Sequence, residues 1–346
     1  MKQVSEARIP VSEASKLIPL FKSKGWVDLS ARISSDGTCK LVPIHPGFED
    51  AVAGMGFEVV SGPAYSEGSR PPMERIHDIL SNLAHCESEL LPDKWEIAGD
   101  TVSIKLDPAL FKYGQSIGEA YARVLGAKTV LADVSGVSGE FREPDMKVLF
   151  GEPGESVKLE NGIHYCFDAT KVMFASGNLV ERKRMKDLDC SGETVVDMFA
   201  GIGYFSLPLA KFSGARRVFS CEKNPNSYRY LVKNLGLNEI GNIIPLLGDN
   251  RDIAGRHFAD RILMGYVQTT SVFLPKALEL AKPGCIIHYH DTFPVGKQDR
   301  MLKEIFDRDC GPDGYEVLSM REVKSFAPSV SHYVADVRVF RSDRLA

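Results

Sequence analysis

A chain of 346 residues is too long for one ordinary hydrophobic core and fits roughly two to three domains. Its 44% hydrophobic and 25% charged residues exclude a disordered or fibrous chain. A formal charge of −4 excludes a global field that draws in nucleic acid, so an RNA partner has to be held by local basic patches. The seven cysteines (39, 86, 166, 190, 221, 285 and 310) include no C-x-x-C pair, which speaks against a zinc site or a disulfide framework, and no metal is expected. No segment approaches the ~20 apolar residues of a membrane helix and none has the form of an export signal, so a cytoplasmic protein with no membrane contact is expected.

In chain order, residues 12–24 read as a helix capped by Ser12 and residues 39–44 as a strand, a small module expected to end near residue 80. Residues 61–72 (SGPAYSEGSRPP) have the composition of a turn-rich linker. From Ile97 the pattern is strand-like: IAGDTVSIKL, a helix over 116–125, TVLADVSGVSGEF, a strand over 146–150 and HYCFDATKVMF. These make a second small domain, over 81–165.

The remainder, 166–346, is regular. Apolar strands VVDMF, RVFSCE, NIIPLL, RILMGY and CIIHYH are each expected to follow a helical segment, which implies parallel pairing with right-handed crossovers. Residues 315–320 and 332–340 add two closing strands. The expected fold is α/β: a Rossmann-like class I methyltransferase sheet preceded by two small α/β or α+β domains.

The segment VVDMFAGIGYFSLPLA places Asp197 at a strand end and Gly201 and Gly203 in the following turn, where an open α/β sheet binds its ligand. Glycine there lets the backbone turn tightly and approach that ligand. Ser206 stands where a dinucleotide fingerprint has its third glycine, and an acid precedes the glycines, so NAD is disfavoured. A carboxylate at Asp197 suits the ammonium group of S-adenosylmethionine. Glu222, ending the second strand 25 positions later, sits where an acid accepts from both ribose hydroxyls. After the third strand, Asp249 and Asn250 offer groups that read an adenine edge.

Five longer strings carry a resemblance: VSGEFREP (137–144), DATKVMFASGNLVERKRM (168–185), DMFAGIGYFSLPLA (197–210), CEKNPNSYRYLVKNLGLN (221–238) and SFAPSVSHYVADVRV (325–339). Through them the chain resembles the tRNA position-37 modification family that includes guanosine-37 N1-methyltransferases and tRNA wybutosine-synthesizing protein 2. The methyltransferase branch holds its target base with an Asn-Leu-Pro or Asn-Pro-Pro-type motif after the fourth strand. Here Leu263-Met264-Gly265-Tyr266 has neither asparagine nor proline, and with His288-Tyr289-His290 it is similar to the wybutosine branch.

The resemblance implies transfer of the 3-amino-3-carboxypropyl group of S-adenosylmethionine to C7 of 4-demethylwyosine at position 37 of tRNA-Phe. The partner it implies is the anticodon loop bearing that tricyclic base. It also implies cofactor contacts by Ser176 and Lys183, the latter with the methionine carboxylate, and by Phe199 with the loop residues above. Arg142, Glu181 and His290 are expected near the base, with His290 or Asp291 taking the ring proton. Taken alone, ERKRMK (181–186) reads as a charged helix face; its place beside FASGN assigns it to the site. The alternatives are guanosine-37 N1-methylation and a non-catalytic RNA-binding protein of the same fold.

Overall fold

The computed structural model describes residues 3–28, 31, 33–63, 70–174, 176–312 and 314–340. The chain divides into two compact units, 1–93 with 123–125, and 94–122 with 126–346.

The first unit contains β1 (Gln3–Pro10), α1 (Val11–Ser23), β2 (Ser34–Ser35), β3 (Cys39–Ile44), α2 (Glu49–Ala53), β4 (Glu58–Pro63), α3 (Pro72–Ile79) and α4 (His85–Ser88). Its sheet is antiparallel in the order β2-β3-β1-β4. Ala7 and Ile9 of β1 bury with Leu17, Phe21, Val42, Ile44 and Val52. The expected helix is present, but Pro10 and not Ser12 occupies its cap position, with no side-chain cap. β1 escaped the sequence reading because Glu6 and Arg8 interrupt its apolar pattern. Arg8 pairs outward with Asp36 and Glu58, while Glu6 is buried. Of the expected linker, residues 61–63 end β4 and residues 64–69 lie outside the described residues.

The second unit begins with β5 (Trp95–Ala98), β6 (Thr101–Lys105), α5 (Gly114–Leu125), β7 (Thr129–Ser138) and β8 (Glu143–Phe150), a sheet in the order β5-β6-β7-β8 in which only β6 and β7 run parallel. A hairpin follows, β9 (Glu155–Glu160) and β10 (Ile163–Asp168). The boundary expected at residue 165 falls inside β10, whose Ile163, Tyr165 and Phe167 are buried with Val195, Leu207 and Val218 of the large sheet domain. The strand expected to run through Phe174 stops at Asp168, whose side chain accepts from the Thr170 N–H and turns the chain.

The remaining elements are α6 (Leu179–Asp187), β11 (Thr194–Asp197), α7 (Ser206–Phe212), β12 (Arg217–Glu222), α8 (Pro225–Leu237), β13 (Ile243–Leu247), β14 (Ala259–Met264), α9 (Leu274–Leu280), β15 (Ala281–Pro294), α10 (Gln298–Cys310), β16 (Tyr315–Ala327) and β17 (Val330–Val339). They build a seven-stranded sheet in the order β13-β12-β11-β14-β15-β17-β16. The first five strands are parallel, and β17 is antiparallel to both neighbours. Alternating side chains fill two cores: Val196, Ile262 and Ile287 on one face, Val195, Val218 and Leu263 on the other. The helix expected before β14 is reduced to a single turn, Asn250–Asp252. The order reverses between β11 and β14, which opens a crevice at their carboxyl ends. Among the described residues no helix is long and apolar enough to cross a membrane.

Candidate active site

A cavity of about 780 Å³ opens at that crevice, lined from below by the ends of β11, β12, β13 and β14 and from the other side by the β5–β8 sheet. The glycine loop forms its floor. Gly201 has φ +57°, and a Cβ there would stand 2.6 Å from the Tyr204 ring. Its N–H donates to Glu222 Oε2 at 2.7 Å, while the Asn224 N–H donates to Glu222 Oε1 at 2.7 Å. Two backbone donors thus hold the carboxylate in one orientation at the cavity wall. Burial raises its pKa, and each oxygen keeps a lone pair for a ligand hydroxyl. Gly203, with φ +100°, packs on Leu207 and Leu231 and does not line the cavity.

Asn250 lines the cavity 6% exposed; its Nδ2 donates to the Met198 carbonyl at 3.0 Å, while its buried Oδ1 has no partner. A buried acceptor without a donor is costly and marks a place for a ligand N–H such as an adenine amino group. Asp249 also lines the cavity; Arg251 and Lys223 hold its carboxyl well below the usual range. Phe199 lies flat on Tyr266, with ring centroids 5.0 Å apart, and meets Phe273 edge-on. A ribose diol at Glu222, an adenine edge at Asn250 and an apolar wall at Phe199 together fit the nucleoside of S-adenosylmethionine.

Several expected contacts lie elsewhere. Asp197 does not reach the cavity: it is 0% exposed, its Oδ2 accepts from Ser206 Oγ at 2.6 Å and its Oδ1 from the Phe199 N–H at 3.1 Å. It braces the loop instead of meeting an ammonium group, and Ser206 is its partner. Lys183 points outward to Asp187 at 2.7 Å and does not line the cavity. The side chain of Ser176 lies outside the described residues. Arg142 does line the cavity, in a left-handed turn at φ 51°, near Met173 Sδ. Glu181 and His290 are buried behind the cavity wall, 3% and 2% exposed. Asp291 faces away, accepting from the Tyr289 hydroxyl and the Gln268 N–H.

Sequence reasoning missed His332 and Phe205, which line the cavity in front of His290. Phe205 stacks on His290 with centroids 5.3 Å apart, and His332 Nε2 lies 3.1 Å from His290 Nδ1. The available signal for His332 was a histidine opening the expected last strand, just before its alternating run.

Burial pushes the Asp197 pKa up to about 6 from an ordinary 3.8. The folded chain therefore keeps a proton that the unfolded chain has lost, and stability is present below about pH 4 and lost as pH rises through about 6. Two units correspond to about 3 kcal/mol. Asp197→Asn is expected to flatten the pH 4–7 dependence of the unfolding free energy by an amount of that order, read from urea denaturation at both ends. An unchanged slope assigns the dependence to other groups.

A cavity lined by Glu222 and Asn250 with groups that fit a nucleoside, over the switch point of a sheet with an antiparallel seventh strand, places the chain in the class of S-adenosylmethionine-dependent transferases of class I methyltransferase fold. Residues 156–318 match the TRM5/TYW2 methyltransferase domain and residues 76–154 the TYW2 N-terminal domain. The chain belongs to the TRM5/TYW2 family. It is 44% identical over 281 residues to the tRNA(Phe) (4-demethylwyosine(37)-C(7)) aminocarboxypropyltransferase of Pyrococcus horikoshii, covering 80% of this chain and 99% of that one. The crystal structure of P. horikoshii TYW2 in complex with MeSAdo superposes with a TM-score of 0.69 at 43% identity, covering 78% and 99%. That of Trm5b from Pyrococcus abyssi superposes with a TM-score of 0.72 at 30% identity, covering 98% and 100%.

Proposed function

We propose that the chain transfers the 3-amino-3-carboxypropyl group of S-adenosylmethionine to C7 of 4-demethylwyosine in the anticodon loop of tRNA-Phe, in the cytoplasm. The observation that carries this reading is the 44% identity to an enzyme of that activity over 99% of its length. The site supports it. A Cβ at Gly265 would stand 2.8 Å from the Phe205 ring, so any side chain just after β14, the base-holding asparagine of the methyltransferase branch included, requires that ring to move.

The sulfonium of the donor has three carbons open to displacement, and the one facing the nucleophile in line with its bond to sulfur is transferred. Glu222, Asn250, Asp249, Phe199 and Gly201 hold the nucleoside, and Asp197 and Gly203 shape the loop beneath it. Arg142 offers a planar guanidinium to the base or a phosphate. We assign residues 1–80 to tRNA contact, 81–165 to the part of the enzyme carrying Arg142 and 166–346 to donor binding. Because phosphate contacts release counterions, tRNA affinity is expected to fall about tenfold or more between 50 and 200 mM salt in a filter-binding titration. A flat titration removes the phosphate contacts.

Guanosine-37 N1-methylation remains the second reading, because P. abyssi Trm5b aligns over 96% of this chain against 80% for the aminocarboxypropyltransferase. Incubation with tRNA-Phe bearing 4-demethylwyosine and S-adenosylmethionine labelled on the methyl or the carboxyl carbon separates the two. Carboxyl label in the RNA is expected; methyl label alone overturns the proposal, and no label leaves an RNA-binding protein.

A further inference from the structure

β15 and β17 pair antiparallel with Thr292 opposite His332, Val334 opposite His290 and Asp336 opposite His288. His288, His290, His332 and Asp336 therefore share one face of the sheet. His332 is the member of this set that lines the cavity. Its Nε2 lies 3.1 Å from His290 Nδ1, and His290 Nε2 lies 3.7 Å from Glu181 Oε1. Arg184 Nε fixes both Glu181 oxygens at 3.0 Å, and Arg321 approaches at 3.8 Å.

Burial pushes both histidines down, His332 to about 4 and His290 also well below its ordinary value; Lys324 and Arg184 add to this, while Glu181 and Asp336 oppose it. Both rings are therefore neutral at physiological pH, with one N–H each. With the His290 proton on Nε2, the nitrogen 3.7 Å from the Glu181 carboxylate, His290 Nδ1 is an acceptor. His332 Nε2 must then donate the 3.1 Å hydrogen bond. Its Nδ1 is left with a free lone pair and has no hydrogen-bond partner among the described residues.

The sheet order sets where this lone pair acts. The nucleoside groups Glu222 and Asn250 follow β12 and β13, whereas His332 lies on β17, beyond β11, β14 and β15. Adjacent strands are about 4.8 Å apart, so β12 and β17 are separated by roughly 19 Å across the cavity floor. A donor whose nucleoside lies at Glu222 and Asn250 leaves the part of the cavity between Gly265 and His332 for the acceptor base.

Resting on the aminocarboxypropyl-transfer reading above, we propose that His332 Nδ1 removes the C7 proton of the tricyclic base, with His290 and Glu181 as the residues that position it. The C7 π electrons form the bond to the methionine Cγ, the Cγ–S electrons return to sulfur, and 5′-methylthioadenosine leaves as a neutral thioether. The ring now carries one positive charge and a tetrahedral C7 still bearing its hydrogen. His332 Nδ1 accepts that proton, and the C–H electrons restore the aromatic ring. Glu181 balances the resulting imidazolium through His290, and the proton passes to water when the products leave. A weakly basic imidazole suffices because the cationic ring is a strong acid.

The test uses the full chain, carboxyl-labelled S-adenosylmethionine and tRNA carrying 4-demethylwyosine with protium or deuterium at C7. His332→Ala is expected to slow steady-state turnover, which requires the labelled adduct to lose its proton and leave, by roughly a hundredfold or more. A primary isotope effect larger than that of the unaltered enzyme should appear as proton loss becomes limiting, while the Kd for S-adenosylmethionine stays within about threefold. His332→Gln keeps a donor toward His290 but has no basic nitrogen, and is expected to behave in the same way, which guards against a folding defect in the alanine variant. Unimpaired turnover by His332→Gln, or slow turnover without a raised isotope effect, overturns the proposal alone. Failure of the unaltered chain to transfer carboxyl label overturns the reading beneath it, and the proposal with it.

Discussion

Glu222→Ala is expected to weaken S-adenosylmethionine binding about a hundredfold, measured by titration calorimetry. In the proposed site a ribose diol donates two hydrogen bonds to this carboxylate, and charge-assisted bonds in a buried site are worth about 1.5–3 kcal/mol each. The substitution also strips the acceptor from the Gly201 and Asn224 N–H groups, both at 2.7 Å, which loosens the glycine loop that the donor must approach. A loss of about 3 kcal/mol corresponds to the stated hundredfold in Kd. Glu222→Gln keeps an acceptor for one of the two N–H groups and loses the charge, so it should fall between the parent and the alanine variant. A Kd within threefold of the parent for Glu222→Ala removes the ribose contact.

The parallel part of the sheet was legible because buried parallel strands are short continuous apolar runs punctuated by helices, and VVDMF through CIIHYH follow that rule. The polar residues at strand ends were legible for the same reason: Glu222, Asp249 and Asn250 fall at the carboxyl edge and line the cavity. What a position relative to the sheet does not disclose is where a side chain turns. Asp197 ends its strand as Glu222 ends the next, yet it finds Ser206 nine residues on and folds under the loop. Lys183 and Glu181 share one helix. One finds Asp187 in solvent and the other is buried against Arg184, because a helix separates positions two apart onto different faces. His332 was hidden because its role depends on contact with His290, 42 positions away.

The charged string ERKRMK shows the same limit in its energetics, and Arg182 carries the second large prediction. A charge run read along the sequence is a solvated face, but α6 packs Arg182 to 1% exposure. Its guanidinium forms a two-pronged pair with Glu160 on β9 and lies over the rings of Phe174 and Tyr204, 5.0 and 5.9 Å from their centroids. Arg182→Met is expected to destabilise the chain by about 3–5 kcal/mol, because it leaves the Glu160 carboxylate buried without its partner. Removing both charges, as Arg182→Met with Glu160→Leu, should recover most of that loss, since apolar groups of similar volume replace a buried ion pair at little or no net cost. Denaturant titration of the two variants decides the point: equal losses mean that the arginine acts through its packing on the rings and not through its charge. Phe174 and Tyr204 both line the cavity, so the single substitution should also weaken donor binding in the folded fraction, whereas the double variant, with its apolar packing kept, should bind nearly as the parent does.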